Sequence, residues 1–134
     1  MSQQPEVTDP TVLVVDDDPA LLQLVAEMLS REGFTVLEAF NATRALELCR
    51  QYHGPIHLLI TDYSMPDMNG RELSSCIRSL RPNIFTIYTS GIGHQFVLQG
   101  SPLEHQAGFL QKPFTYEELV DKIEGLLGLS RKAG

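Results

Sequence analysis

Two groups of acidic residues each follow a short apolar segment of this chain. Three aspartates at positions 16–18 follow the segment Val-Leu-Val-Val, and Asp62 follows the segment Leu-Leu-Ile-Thr. If both segments are parallel strands, their carboxyl ends meet at one edge of a sheet and the carboxylates lie close together. Their mutual repulsion would favour a bound divalent cation over an empty cluster. The pattern therefore predicts a metal site with Asp16 and Asp17 as ligands, and it indicates phosphate chemistry.

Two further polar residues, Ser90 and Lys112, follow later apolar segments. Lys112 supplies the positive charge that a carboxylate cluster needs in order to bind an anionic phosphoryl group, and Ser90 adds a hydroxyl donor. Asp62 opens a polar loop whose Pro66 and Gly70 fix its path before the next helix. A carboxylate exposed in such a loop can act as a nucleophile toward phosphorus. Together these residues predict a phosphoryl-transfer site.

The elements that must position these residues alternate between β-branched segments and segments of helical period. Asp18 before Pro19 is typical of a helix start, and Thr115 with Glu118 forms a capping box. Such alternation implies a parallel sheet with helices on both faces. The predicted strands are residues 12–15, 35–39, 56–61, 84–89 and 108–111; the predicted helices are 19–31, 42–52, 70–80 and 115–127, with a weak candidate at 94–99.

The composition predicts one ordinary soluble domain. The chain has 134 residues, of which 43% are hydrophobic and 20% charged, enough for a single core. A net charge of −7 disfavours direct binding to nucleic acid or to an anionic membrane. Cys49 and Cys76 lack the spacing of a zinc site or a disulfide framework, which fits a reducing cytoplasm. No apolar run approaches the roughly 20 residues that cross a bilayer.

Four short motifs, taken in order, resemble the receiver domain of bacterial two-component response regulators. They are the acidic pair Asp16-Asp17, the run Thr-Asp-x-x-Met-Pro-x-Met-x-Gly from Thr61 to Gly70, Ser90-Gly91, and Lys112-Pro113-Phe114. The resemblance covers residues 11–127 and leaves tails at 1–10 and 128–134. It implies a flavodoxin-like (βα)5 doubly wound parallel sheet with strand order 2-1-3-4-5. Gly93, Gly100 and Pro102 predict that the fourth helix is short or distorted.

The resemblance also implies a chemical role for each acidic residue. Asp62 would be the phospho-acceptor, taking a phosphoryl group from a phosphohistidine on a sensor histidine kinase or a histidine phosphotransfer domain. Mg²⁺ would be bound directly by Asp17, Asp62 and the backbone carbonyl of Ser64, while Asp16 would act through water. The domain would assist its own phosphorylation and dephosphorylation as a switch, and would not be a turnover enzyme.

The resemblance assigns the remaining site residues to the switch. Lys112 would bind the phosphoryl oxygens, and the Lys112-Pro113 peptide bond is expected to be cis. Ser90 would move toward the phosphate and Phe109 would change rotamer with it, altering the surface formed by the fourth strand, the fourth helix and the fifth strand. A further relay or output partner would read that surface. We expect a monomer or weak dimer.

Several details are most similar to receivers of hybrid sensor histidine kinases. These are Arg81-Pro82 before the fourth strand, the sequence Tyr-Thr-Ser-Gly that ends at Gly91, and the sequence Phe-Leu-Gln-Lys-Pro-Phe that ends at Phe114. The expected location is the cytoplasm, either as a separate regulator or as the cytoplasmic part of a membrane-bound hybrid kinase.

Two other functions stay open at the level of sequence. A haloacid-dehalogenase-like phosphatase would use Asp16 in an Asp-x-Asp motif, although Ala20 and the short chain disfavour it. A degenerate receiver would act as an unphosphorylated interaction module. Two structural roles are also open: Asp67 is expected to face solvent or to cap the third helix, and Leu22 is either a core residue or part of a kinase-docking surface.

Overall fold

The fold is a parallel sheet between two layers of helices. A computed structural model describes residues 10–91 and 106–129. Within these ranges the strands are β1 (Thr11–Val15), β2 (Thr35–Ala39), β3 (Leu58–Asp62), β4 (Phe85–Ser90) and β5 (Ala107–Gln111). The helices are α1 (Pro19–Arg31), α2 (Ala42–Gln51), α3 (Gly70–Leu80) and α4 (Tyr116–Leu127).

The strand order is β2-β1-β3-β4-β5 and every pair is parallel. This confirms the predicted doubly wound, flavodoxin-like sheet, and the predicted strand and helix boundaries differ from the observed ones by at most two residues. The weak helix candidate at 94–99, and with it the prediction of a short or distorted fourth helix, lies outside the described residues.

The two central strands, β1 and β3, are buried along their whole length. Alternate residues of β1 point to opposite faces of the sheet, as the pleat requires. Val12 and Val14 belong to a core cluster that also includes residues of α1 and α4, whereas Leu13 and Val15 belong to a second cluster shared with α2 and α3. This burial on both faces explains why the strand sequences are continuous apolar runs.

The first helix packs its apolar side onto the first of these clusters. Leu22 is only 6% exposed and lies in the core. The core interpretation of this residue is therefore confirmed, and the docking interpretation is wrong. The exposed leucine of α1 is Leu24, two residues further along the helix, which is 48% exposed. Asp18 caps the helix, its Oδ1 accepting from the backbone N–H of Ala20 at 3.1 Å.

Arg81, which follows α3, joins that helix to the end of α2. One of its guanidinium nitrogens donates to the carbonyls of Cys49 at 3.0 Å and Tyr52 at 2.8 Å, and the other donates to the carbonyl of Gly54. These acceptors lie at or just beyond the end of α2, where helical carbonyls lack partners within the helix. A single side chain therefore links two helices on one face of the sheet.

The described part of the chain contains no helix with both the length and the apolar character of a membrane span.

Gly70, the first residue of α3, lies close to the end of β3. A Cβ atom at this position would lie 2.8 Å from the carbonyl oxygen of Asp62 and 3.0 Å from the Cα of Tyr63. Both neighbours are backbone atoms, which cannot move aside without shifting the end of the strand. Glycine is therefore required here by close approach of the backbone.

Replacing Gly70 with alanine should lower the free energy of unfolding by about 1–3 kcal/mol, because the new methyl group overpacks against backbone. Urea unfolding followed by circular dichroism measures the change. The matched control is Gly125→Ala in α4, where a Cβ would meet nothing within 4 Å; it should instead stabilise the helix by about 0.5–1 kcal/mol. Equal stability of the Gly70 variant and the parent would contradict the close-approach argument.

Candidate functional site

Three carboxylates converge at the carboxyl edge of the sheet. Asp16 and Asp17 follow β1, and Asp62 is the last residue of β3. Each of the three offers one oxygen, and these oxygens all lie within 4.8 Å of one another. Asp16 is 5% exposed and Asp62 9% exposed, whereas Asp17 is exposed to solvent. The strand register brings them together, because Val15 of β1 pairs with Thr61 of β3.

Lys112 enters this cluster from the end of β5. Its Nζ lies 3.1 Å from Oδ2 of Asp16 and 3.5 Å from Oδ1 of Asp62. The Lys112 backbone N–H donates to the carbonyl of Ser90 at 2.8 Å, which extends the pairing of β4 with β5 by one bond. The Lys112-Pro113 peptide bond is cis. Among the described residues, this cluster therefore combines three carboxylates with one ammonium group, which contacts two of them.

The surplus of negative charge affects the ionisation of Asp62. Burial raises the pKa of its carboxyl above the ordinary value. The Lys112 ammonium lowers the pKa, and the neighbouring charges of Asp16 and Asp17 raise it, so that the net change is upward. Lys112 thus offsets only part of the free energy needed to ionise Asp62 in this environment.

The donor set of the cluster suits a hard divalent cation. Carboxylate oxygens are the ligands that Mg²⁺ prefers, and Mg²⁺ sites commonly combine one or two carboxylates with water. The exposed Asp17 leaves room for such waters, and a cation would neutralise the charge that Lys112 leaves unbalanced. Ser64, whose carbonyl is the remaining predicted ligand, lies in the exposed loop two residues after Asp62.

Ser90 and Phe109, the predicted switch residues, lie on β4 and β5. Ser90 is the last residue of β4 and is 8% exposed. It follows Thr89, which pairs with Asp62, so the serine lies at the same edge as the carboxylates. Phe109 is half-buried and pairs with Tyr88, three residues before Lys112. At about 3.3 Å per residue, this places Phe109 roughly 10 Å back along the strand.

Two contacts near the site were not predicted from the sequence. The ring of Tyr63, next to Asp62, meets the fully buried ring of Tyr88 edge to face, with centroids 6.0 Å apart. Asp67 is exposed, as predicted, but it does not cap α3, which Asn69 caps instead. Its carboxylate accepts from the backbone N–H groups of Ala42 and Thr43 at the start of α2. The one sequence signal for this contact was that the first turn of α2 contains no acidic residue of its own.

A comparison with protein-family models decides the family. The model described as the response regulator receiver domain matches residues 12–124. The chain belongs to this family. Receiver domains are signalling modules of two-component systems and not turnover enzymes. This membership removes the haloacid-dehalogenase-like alternative.

Curated relatives of the receiver include both kinases and separate regulators. The chain is 32% identical over 117 residues to the sensor kinase CckA of Brucella abortus (strain 2308), covering 87% of the chain and 12% of the kinase. It is 29% identical over 116 residues to the response regulator receiver protein CpdR of the same organism, covering 87% of the chain and 95% of CpdR. The chain therefore spans a small part of the kinase and nearly all of CpdR.

Solved structures show the same fold. The crystal structure of the receiver domain from the hybrid histidine kinase CckA matches with a TM-score of 0.75 and 28% identity, covering 87% of this chain and 98% of that one. The signal receiver domain of an HD domain-containing protein from Pseudomonas fluorescens Pf-5 matches with a TM-score of 0.81 and 25% identity, covering 96% of this chain and 93% of that one.

Replacing Asp62 with asparagine should stabilise the metal-free receiver at neutral pH. Because burial raises the pKa of Asp62 above 3.8, the folded protein binds this proton more tightly than the unfolded chain does. Ionised Asp62 therefore lowers stability above its folded pKa, and the loss fades as the pH falls toward 3.8. Urea unfolding with EDTA should show a gain for Asp62→Asn near pH 7 that disappears near pH 3.5.

The matched control is Asp121→Asn, which removes an exposed carboxylate from α4 and should change stability by less than about 0.5 kcal/mol. The prediction would be contradicted if Asp62→Asn were less stable than the parent at neutral pH. In that case the attraction of Lys112 would exceed the free-energy cost of burying the ionised Asp62 carboxylate.

Proposed function

We propose that Asp62 accepts a phosphoryl group from a phosphohistidine on a sensor histidine kinase or a histidine phosphotransfer domain. The observation that carries this proposal is the position of the Asp62 carboxylate, 3.5 Å from the Lys112 ammonium and inside the cluster of three carboxylates. An anionic acceptor and an anionic donor must approach each other here, which requires positive charge at the point of contact. The family membership of the chain supports the same chemistry.

The hydrogen bonds of the two buried aspartates favour Asp62 over Asp16 as the nucleophile. Oδ1 of Asp16 accepts from the Asp18 backbone N–H at 2.9 Å, and its Oδ2 contacts Lys112 at 3.1 Å. Both oxygens of Asp16 are therefore engaged. Within the described residues, Asp62 has only the longer contact of its Oδ1 with Lys112. An oxygen of Asp62 is thus available for attack, while Asp16 holds Lys112 in place.

The reaction is an in-line displacement at phosphorus. A carboxylate oxygen of Asp62 attacks the phosphorus atom, the phosphorus–nitrogen bond of the phosphohistidine breaks, and the imidazole leaves with the electron pair of that bond. Lys112 stabilises negative charge on the phosphoryl oxygens, and the buried surroundings strengthen that interaction. Mg²⁺, held by Asp17, Asp62 and the Ser64 carbonyl with Asp16 acting through water, would supply further positive charge and orient the phosphoryl oxygens.

The phosphorylated form acts as a switch. Ser90, at the same sheet edge as Asp62, would approach the phosphoryl oxygens, and Phe109 on β5 would change rotamer with it. Phosphorylation thereby biases an existing equilibrium of the surface that includes β4 and β5, which a further relay or output partner reads. The receiver assists the gain and loss of its own phosphoryl group. A cytoplasmic location and a monomeric or weakly dimeric state are parts of the same proposal.

Intact-mass spectrometry after incubation with Mg²⁺ and phosphoramidate or acetyl phosphate tests the acceptor. The parent chain should gain the mass of one phosphoryl group, and EDTA should prevent the gain. Asp62→Asn should gain nothing, because the attacking oxygen is lost. Asp16→Asn should still be labelled, although more slowly, because this substitution weakens the ion pair that holds Lys112 in place.

The control Asp121→Asn should be labelled like the parent. Labelling of Asp62→Asn together with loss of labelling in Asp16→Asn would assign the nucleophile to Asp16. No labelling of the parent by either donor, with no Mg²⁺-dependent binding of beryllofluoride, would favour the unphosphorylated interaction module instead.

A further inference from the structure

The loop between β3 and α3, residues 63–69, carries the Ser64 carbonyl and is called the acceptor loop here. Its two ends are fixed by backbone hydrogen bonds. The N–H of Tyr63 donates to the carbonyl of Thr89 at 2.8 Å, and the N–H of Gly70 donates to the carbonyl of Tyr63 at 2.7 Å. Between these ends Ser64, Pro66 and Asp67 are exposed.

Asp67 provides an anchor in the middle of this loop. Its Oδ2 accepts from the backbone N–H of Ala42 at 3.1 Å and from that of Thr43 at 3.3 Å. The cap residue of α2 itself, Asn41, accepts from a different group, the N–H of Arg44, at 2.7 Å. The two side chains therefore divide the unpaired N–H groups of the first turn between them.

The electrostatic match strengthens this anchor. The first turn of α2 contains no acidic residue, so the partial positive charge of its N-terminus is met by a carboxylate from another element. Met65 and Met68 flank Asp67 in the loop and pack partly against the core cluster beneath α2 and α3. Polar and apolar contacts thus hold the acceptor loop against the same part of the fold.

We propose that Asp67 is a positioning residue that couples the acceptor loop to α2 and so prepares the loop, including the Ser64 carbonyl, for the cation. The inference rests on the proposed function, in which Ser64 is a metal ligand. Asp67 does not touch the reacting atoms. It acts by reducing the conformations that the loop must give up when a ligand is bound.

Coupling of this kind is reciprocal. If the tether favours cation binding, then a bound cation must favour the tether, and the amides of Ala42 and Thr43 become better protected. The Arg44 amide belongs to the same turn but is bonded to Asn41. It therefore provides an internal reference within the same helix.

Calorimetric titration with Mg²⁺ alone tests the tether. Asp67→Ala should weaken Mg²⁺ affinity by about tenfold, the lower end of the effect of losing a residue that orients a metal ligand. Asp67→Asn keeps a carbonyl acceptor and should recover most of the affinity. Asn41→Ala, the matched control, removes the other cap of the same helix and should change the affinity by less than about twofold. Parent-like affinity in Asp67→Ala, or an equal loss in Asn41→Ala, would overturn the proposal.

Hydrogen exchange in the unsubstituted chain tests the same coupling without any variant. Saturation with Mg²⁺ should slow exchange at Ala42 and Thr43 several-fold more than at Arg44. Equal slowing at the three amides would contradict a specific tether. Labelling of Asp62 by phosphoramidate is measured separately, so that Asp67-dependent Mg²⁺ binding without labelling would overturn the acceptor role and leave the tether supported.

Discussion

Crowding of carboxylates at one sheet edge is the constraint on which the rest of the site depends. Asp16 and Asp62 are buried there, Asp17 lies beside them, and Lys112 contacts both buried groups. Burial and like charges together raise the pKa of Asp62, which means that one lysine does not balance the cluster. Positive charge bound at such a site lowers its free energy, and the site holds the proposed oxygen nucleophile in a fixed position. The proposed cation binding and the proposed phosphoryl acceptance would both follow from this imbalance.

The fold makes this crowding possible by placing the charged residues on its most rigid elements. The central strands β1 and β3 are buried on both faces between two apolar clusters, and they carry the aspartates at their ends. Gly70 lets α3 begin so near the end of β3 that an added Cβ would lie 2.8 Å from the Asp62 carbonyl oxygen. In the loop after Asp62, Met65 and Met68 pack against one of these clusters, and Asp67 provides a polar contact to α2. Rigid strands position the proposed nucleophile, whereas side-chain contacts position the loop.

The sequence was sufficient to predict the sheet and the grouping of Asp16, Asp62 and Lys112. Each of these residues follows an apolar run, and parallel strands bring such ends together whatever the details of the helices. It was not sufficient to predict the contact of Asp67 with α2 or of Arg81 with the end of that helix. The partners are separated by 24 residues or more. The local sequence shows that a helix terminus lacks partners, but it does not show which distant side chain reaches that terminus.

The most direct test of the account is chemical identification of the phosphorylated residue. The chain is phosphorylated with phosphoramidate and Mg²⁺, the aspartyl phosphate is reduced with borohydride to homoserine, and the position of homoserine is found by peptide sequencing in the mass spectrometer. Homoserine should appear at position 62, in the peptide that contains the acceptor loop. Homoserine at position 16, or at neither position in a chain that carries the phosphoryl group, would contradict the assignment of Asp62 as the nucleophile.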